Sequence, residues 1–340
     1  MRSEIPSFIF RHLSLSRAPG SRPALLAALA SLVMSATALA QEADSAFLER
    51  AALRAANTNC KFLDASEALA LDMGYWQARG ALLRGNYELS SVNAMQFEAE
   101  DYAISKPCED EALLAATERL KNAFLAFSRT PFMEYSGMYR QWTATRTLTD
   151  VWAAHQEDNV TGVRLGLIYP QRSSDPMGFA DPDKPREQSV FAVLLPLPKG
   201  MTAPSTAHLI VRNPAKEPNP WLGGPFGWGG SGLSIPPLAL TNRIFPAKRQ
   251  IVDAPPYGDG GATPGVLFMF DEKAQGQFEA LDPREAVRID FIPSDRDKSS
   301  RPMSVLIEVG DFRAAAAFSK IPRNRPEPQT AKAEAAAVGH

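Results

Sequence analysis

The sequence predicts an α+β fold, an N-terminal helical bundle followed by a β-rich sandwich or open-barrel domain with long Pro/Gly loops. Three observations lead there. Residues 41–130 hold one Pro and three Gly, whereas residues 131–340 hold 24 Pro and 18 Gly. Apolar residues recur at helical spacing in the first stretch. In the second they alternate, or run continuously, between turn signals.

Residues 1–40 stand apart from the fold and read as a secretory signal peptide, removed on export. Arg2, Arg11, Arg17 and Arg22 form a basic n-region, and Ala24 to Met34 is a short apolar run. Ala38-Leu39-Ala40 supplies the small residues a signal peptidase needs, so the mature chain is expected to start at Gln41. The apolar run is shorter than the ~20 residues of a membrane span. The expected location is outside the cytoplasm, periplasmic in a Gram-negative source and secreted otherwise.

Four helices are expected in residues 41–130. The first opens at Asp44-Ser45 and carries Phe47, Leu48, Ala51, Ala52 and Ala55 on one face. In the second, Asp64 stands three residues before Glu67, which suits a helix start, and Gly85-Asn86 is the stop after Arg84. A third covers Val92 to Ile104. The fourth opens at Cys108-Glu109-Asp110-Glu111, where acids complement the helix dipole, and carries a stripe of Leu113, Leu120, Phe124 and Phe127.

Residues 131–321 are expected to be β-rich. Val163, Leu165, Leu167 and Tyr169 alternate with their neighbours, and Glu157-Asp158-Asn159 suits a turn from a strand at Val151–His155. Further strands are expected at 189–195, 208–212, 250–252, 266–270, 286–292 and 304–309, with short helices at 272–280 and 312–319. The Pro-, Ala- and charge-rich stretch 322–340 reads as a disordered tail.

Charge and motifs exclude more than they assign. The chain has a formal charge of -2, and removing the +3 of residues 1–40 leaves -5, which gives no basic footprint for nucleic acid. Gly227-Trp228-Gly229-Gly230-Ser231-Gly232 spells a dinucleotide-binding motif, with Asp253 beyond it. Pro220 upstream and Pro236-Pro237 downstream deny it the flanking strand and helix on which a pyrophosphate would rest. Ser231 lacks a second flanking glycine at the right spacing, because position 233 is Leu. His155 and His208 fall in expected strands and are weak candidates for a general base. Asp181/Asp183 and Asp295/Asp297 are read as solvated loop charge, and no metal site or cofactor is implied.

Two features remain. Cys60 and Cys108 are the two cysteines of the chain, and in an oxidising compartment they are expected to pair. Acids beside Cys108 and the lack of a nearby His argue against a reactive thiol. The segment 214–237 is a long loop carrying Trp221, Phe226 and Trp228, a candidate recognition surface for a glycan or peptide. Pinning the loop over the core is the plainer role for those rings. The functional expectation is a non-enzymatic binding or interaction module of the cell envelope, with an envelope protein, peptide or glycan as partner. The alternative is an envelope hydrolase acting on glycan or peptide.

Overall fold

The computed structural model describes residues 27–146, 151–169, 189–222, 232–252, 264–294 and 302–322. The chain divides into two compact units, residues 1–41 and 42–340, and every side-chain contact described below lies in the second.

Helix α1 spans Ala27–Cys60 and α2 spans Ala65–Arg84. The Asp64 carboxylate accepts the Glu67 amide at 2.8 Å, and the Glu67 carboxylate accepts the Asp64 amide at 2.9 Å. This reciprocal cap satisfies two amides that a helix start leaves open. Gly85 closes α2, as expected. Helix α3 (Leu89–Ile104) starts one turn earlier than its apolar pattern suggests, because Val92 already donates to the Glu88 carbonyl. Helix α4 (Glu111–Phe127) is capped by Asp110, whose side chain accepts from Ala112 and Leu113. The stripe expected on α4 packs inward: Leu113 and Phe124 are buried, and Leu120 and Phe127 half-buried.

Cys60 and Cys108 form a disulfide with their Cα atoms 5.5 Å apart. It ties the end of α1 to the approach to α4 across 48 residues. Phe47, Ala51, Tyr75, Leu82, Leu83 and Val92 form the core among the first three helices.

Among the described residues, eleven antiparallel strands form two sheets. The seven-stranded sheet has the order β1 (Phe132–Ser136), β2 (Gln141–Thr145), β3 (Trp152–Glu157), β4 (Arg164–Ile168), β5 (Val190–Pro196), β9 (Gly265–Met269) and β8 (Lys248–Val252). The four-stranded sheet has the order β11 (Met303–Glu308), β10 (Ala286–Ile292), β6 (Thr206–Arg212) and β7 (Thr241–Ile244). Most strands sit where alternation places them. The β1–β2 hairpin and β7 lie outside the expected strands.

The reason at β2 is chemical. Its inward row of Trp142 and Ala144 continues into Arg146, a charge that a periodicity argument assigns to solvent. Arg146 is instead 1% exposed. Its guanidinium donates to the carbonyls of Phe127, Ser128 and Thr130 at the end of α4, and stacks 4.6 Å from the Phe318 ring. A helix end leaves its last carbonyls without partners, so the buried charge is matched by oxygens that need a donor.

Helices α5 (Glu272–Glu279) and α6 (Phe312–Lys320) complete the fold. Phe312, the four alanines Ala314 to Ala317 and Phe318 are all buried. Alanines let α6 approach both α2 and the β1–β2–β3 end of the larger sheet. One core therefore holds Ala70, Met73 and Phe124 from the helices, Leu165 and Phe191 from one sheet, and Leu209 and Ile289 from the other. Among the described residues, no helix is long and apolar enough to cross a membrane.

Candidate functional site

Where α6 starts, α2 comes close. Gly80 supplies the room: a Cβ there would meet the Asp311 carboxylate. Arg84, one turn on, donates to Asp311 through Nη1 at 2.6 Å and Nη2 at 2.8 Å. Burial pushes the Asp311 carboxyl up to about 6, against the pull of Arg84. Nearby, Glu308 is fully buried and accepts the backbone amides of Met138, Tyr139 and Arg140. Burial raises its pKa, and the three amides oppose that rise. These two carboxylates are occupied in holding the fold.

Beside them lies a cavity of about 310 Å³, within the size range of small-ligand pockets. Its first wall is helical. Trp76 and Arg79, three residues apart on α2, face the same way, and Asn93 and Gln96 on α3 hold the Arg79 guanidinium at 2.6 and 3.3 Å. Its second wall comes from the turn after α5 and the start of α6, with Glu279 and Arg313. The third is the chain leaving β6, with Pro214, Pro218 and Pro220. The Arg313 guanidinium stacks 3.2 Å from the centre of the Trp76 ring. Burial lowers the Arg313 pKa, Glu279 opposes that, and Arg54 and Arg79 lower it further.

The proline wall runs straight into Trp221. Arg212 and Glu285 anchor it as a buried ion pair, with hydrogen bonds of 2.5 and 2.9 Å. Arg212 also donates to the Glu217 carbonyl at 2.6 Å, and Glu285 accepts the Trp221 amide at 3.1 Å. Trp221 is thus held by its backbone while its ring is half-buried. Phe226 and Trp228, with most of the glycine motif, lie outside the described residues, as do Asp253, Asp181, Asp183, Asp295 and Asp297. Among the described residues, no group of three or more His, Cys, Asp or Glu is placed to hold a metal ion.

Neither histidine lines this cavity. His155 is half-buried on β3, with its ring 5.5 Å from that of Trp152. His208 sits on β6 opposite Asp290 and meets the Phe245 ring edge-on at 4.7 Å. Partial burial, then Arg243, lower its pKa, and Asp290 opposes them.

No protein-family model, curated protein or solved structure matches this chain. The site therefore rests on its own geometry. That geometry picks out Trp76, Arg79 and Arg313, which the sequence reading did not single out. A Trp and an Arg three apart on one helix face were the available signal. Arg313 gave none, because its meeting with Trp76 depends on packing between distant parts of the chain.

Proposed function

We propose that this protein is an exported binding module that holds a short extended ligand in the cleft between α2, α3 and the proline wall, without chemical turnover. The observation that carries this reading is the convergence of Pro214, Pro218 and Pro220 with Trp76 around one cavity. Prolines present a flat, rigid wall with no amide donor, against which an extended chain can lie at little entropic cost. The chain then continues to Trp221, whose amide Glu285 accepts, close in sequence to the Pro220 of the wall.

Export is part of the same reading. The disulfide and the secretory pattern of residues 1–40 both support it. Mass spectrometry of the protein from the envelope or medium is expected to find Gln41 as its first residue. A chain that retains residues 1–40 would overturn the export reading.

Binding is tested with peptide and glycan arrays, comparing the protein with its Trp76→Ala variant. The expected result is a ligand set lost in the variant and recovered from the wild type with unchanged mass. Cleaved ligand would favour the hydrolase alternative. Binding that Trp76→Ala leaves intact would remove the cleft from consideration.

A further inference from the structure

The charges around the cleft do not cancel locally. Of its lining arginines, Arg212 is held by Glu285. Of its lining acids, Asp311 is held by Arg84 and Asp282 by Arg284. Among the described lining residues, that leaves Arg79, Arg313 and Glu279. Among the described residues, no carboxylate lies within 4.0 Å of the Arg79 or Arg313 side-chain nitrogens. Arg79 is oriented by two neutral amide oxygens, and Arg313 by the Trp76 face. Glu279 offsets part of the Arg313 charge from a distance, but neither guanidinium has an ion-pair partner at that range. Partly buried like charges repel, and an anion between them would relieve that cost.

We propose that Arg79 and Arg313 together bind a carboxylate, the free C-terminus of a short peptide lying along the proline wall. This rests on the binding role proposed above and names its ligand class. A guanidinium fork matches the planar carboxylate through paired hydrogen bonds. Among the described residues, the lining contains no Lys, Ser or Thr to complement a tetrahedral phosphate, and Glu279 adds a negative charge that a dianion would meet at close range. A peptide uses that same charge, since Glu279 can accept a backbone amide of the ligand. Trp76 already has a guanidinium on one face, which leaves less of its ring for a sugar.

The test uses a pool of tetrapeptides with free C-termini, the same pool amidated, and inorganic phosphate, each titrated into the purified protein by calorimetry. The acid pool is expected to bind about tenfold or more tightly than the amide pool, with affinity falling as salt rises. Arg79→Gln and Arg313→Gln are each expected to erase the difference between pools, and Arg313→Lys to restore part of it. The salt dependence of the wild type needs no variant, so a misfolded variant leaves the inference testable. Equal binding of both pools, lost on Trp76→Ala, would overturn the carboxylate inference and leave the cleft as a binding site. Phosphate binding as tight as the acid pool would also overturn it. Binding of neither pool would overturn both the inference and the peptide form of the proposed function.

Discussion

Arg84 and Asp311 stand 227 residues apart in sequence and share two hydrogen bonds, of 2.6 and 2.8 Å, that fasten α2 to the start of α6. The Asp311 side chain is 1% exposed and that of Arg84 14%. The pair is one place where the helical region and the β-rich region are joined by charge, and it has a consequence for pH. Asp311 is pushed up to about 6 in the fold, above its ordinary 3.8. The folded state thus holds this proton more tightly than the unfolded chain does. The contribution of Asp311 to stability therefore rises as pH falls from 7 to 4, by up to about 3 kcal/mol. Urea unfolding of wild type and Asp311→Asn at pH 7, 5.5 and 4 tests it, because carboxylates not coupled to Asp311 cancel in the comparison, and Glu308 is the coupled one. The wild type should gain on the variant as pH falls. A gain by the variant would contradict the burial argument.

Gly80 is expected to resist replacement. In a helix interior Gly→Ala ordinarily stabilises by ~1 kcal/mol. Here the added Cβ would press on the Asp311 carboxylate and sit 2.9 Å from Arg84 Nη1. Gly80→Ala should therefore destabilise by roughly 1–3 kcal/mol, the usual cost of overpacking. In an Asp311→Ala background the same change should cost clearly less, which chemical denaturation of the four proteins in the cycle would show.

The Cys60–Cys108 disulfide closes a loop of 48 residues. In the chain-entropy model, a loop of this length restricts the unfolded state by roughly 4 kcal/mol. Replacing both cysteines by Ser should lower stability by a comparable amount. The α5 and β-sheet residues should still fold at low temperature, as seen by amide exchange. Alkylation of the native protein without reductant should find no free thiol.

Arg212 and Glu285 separate anchoring from recognition in the aromatic loop. Arg212→Ala would leave Glu285, whose side chain is 2% exposed, without its counter-charge. A loss of about 3–5 kcal/mol is expected, as for other buried pairs with one partner removed. Trp221→Ala keeps the backbone amide that Glu285 holds, so it should change the melting temperature little. If it nonetheless weakens ligand binding, the half-buried ring contributes to the cleft. If it lowers the melting temperature as much as Arg212→Ala does, the ring is a structural pin.

Much of this fold follows from local chemistry. The Asp64–Glu67 cap, the Gly85 stop and the Asp110 cap act within a few residues, so their signals are complete in the sequence. Strands such as β5, β9 and β10 reveal themselves by apolar runs whose burial is backbone-local in pattern. The disulfide follows from the chain having two cysteines, both in the helical region. Long-range charge decided the rest. Read singly, Arg79, Arg84, Arg146, Arg212, Glu308, Asp311 and Arg313 are ordinary polar residues that belong in water. Burying any of them is unfavourable unless a partner is supplied, and the partners come from helix ends, turns and strands far along the chain. The sequence by itself therefore determined most of the elements, the order of helices before strands, and the crosslink. Only the tertiary structure decided which charges are neutralised within the fold and which, at Arg79 and Arg313, are left facing a cavity, because neutralisation depends on distances of a few ångströms between residues that no local pattern connects.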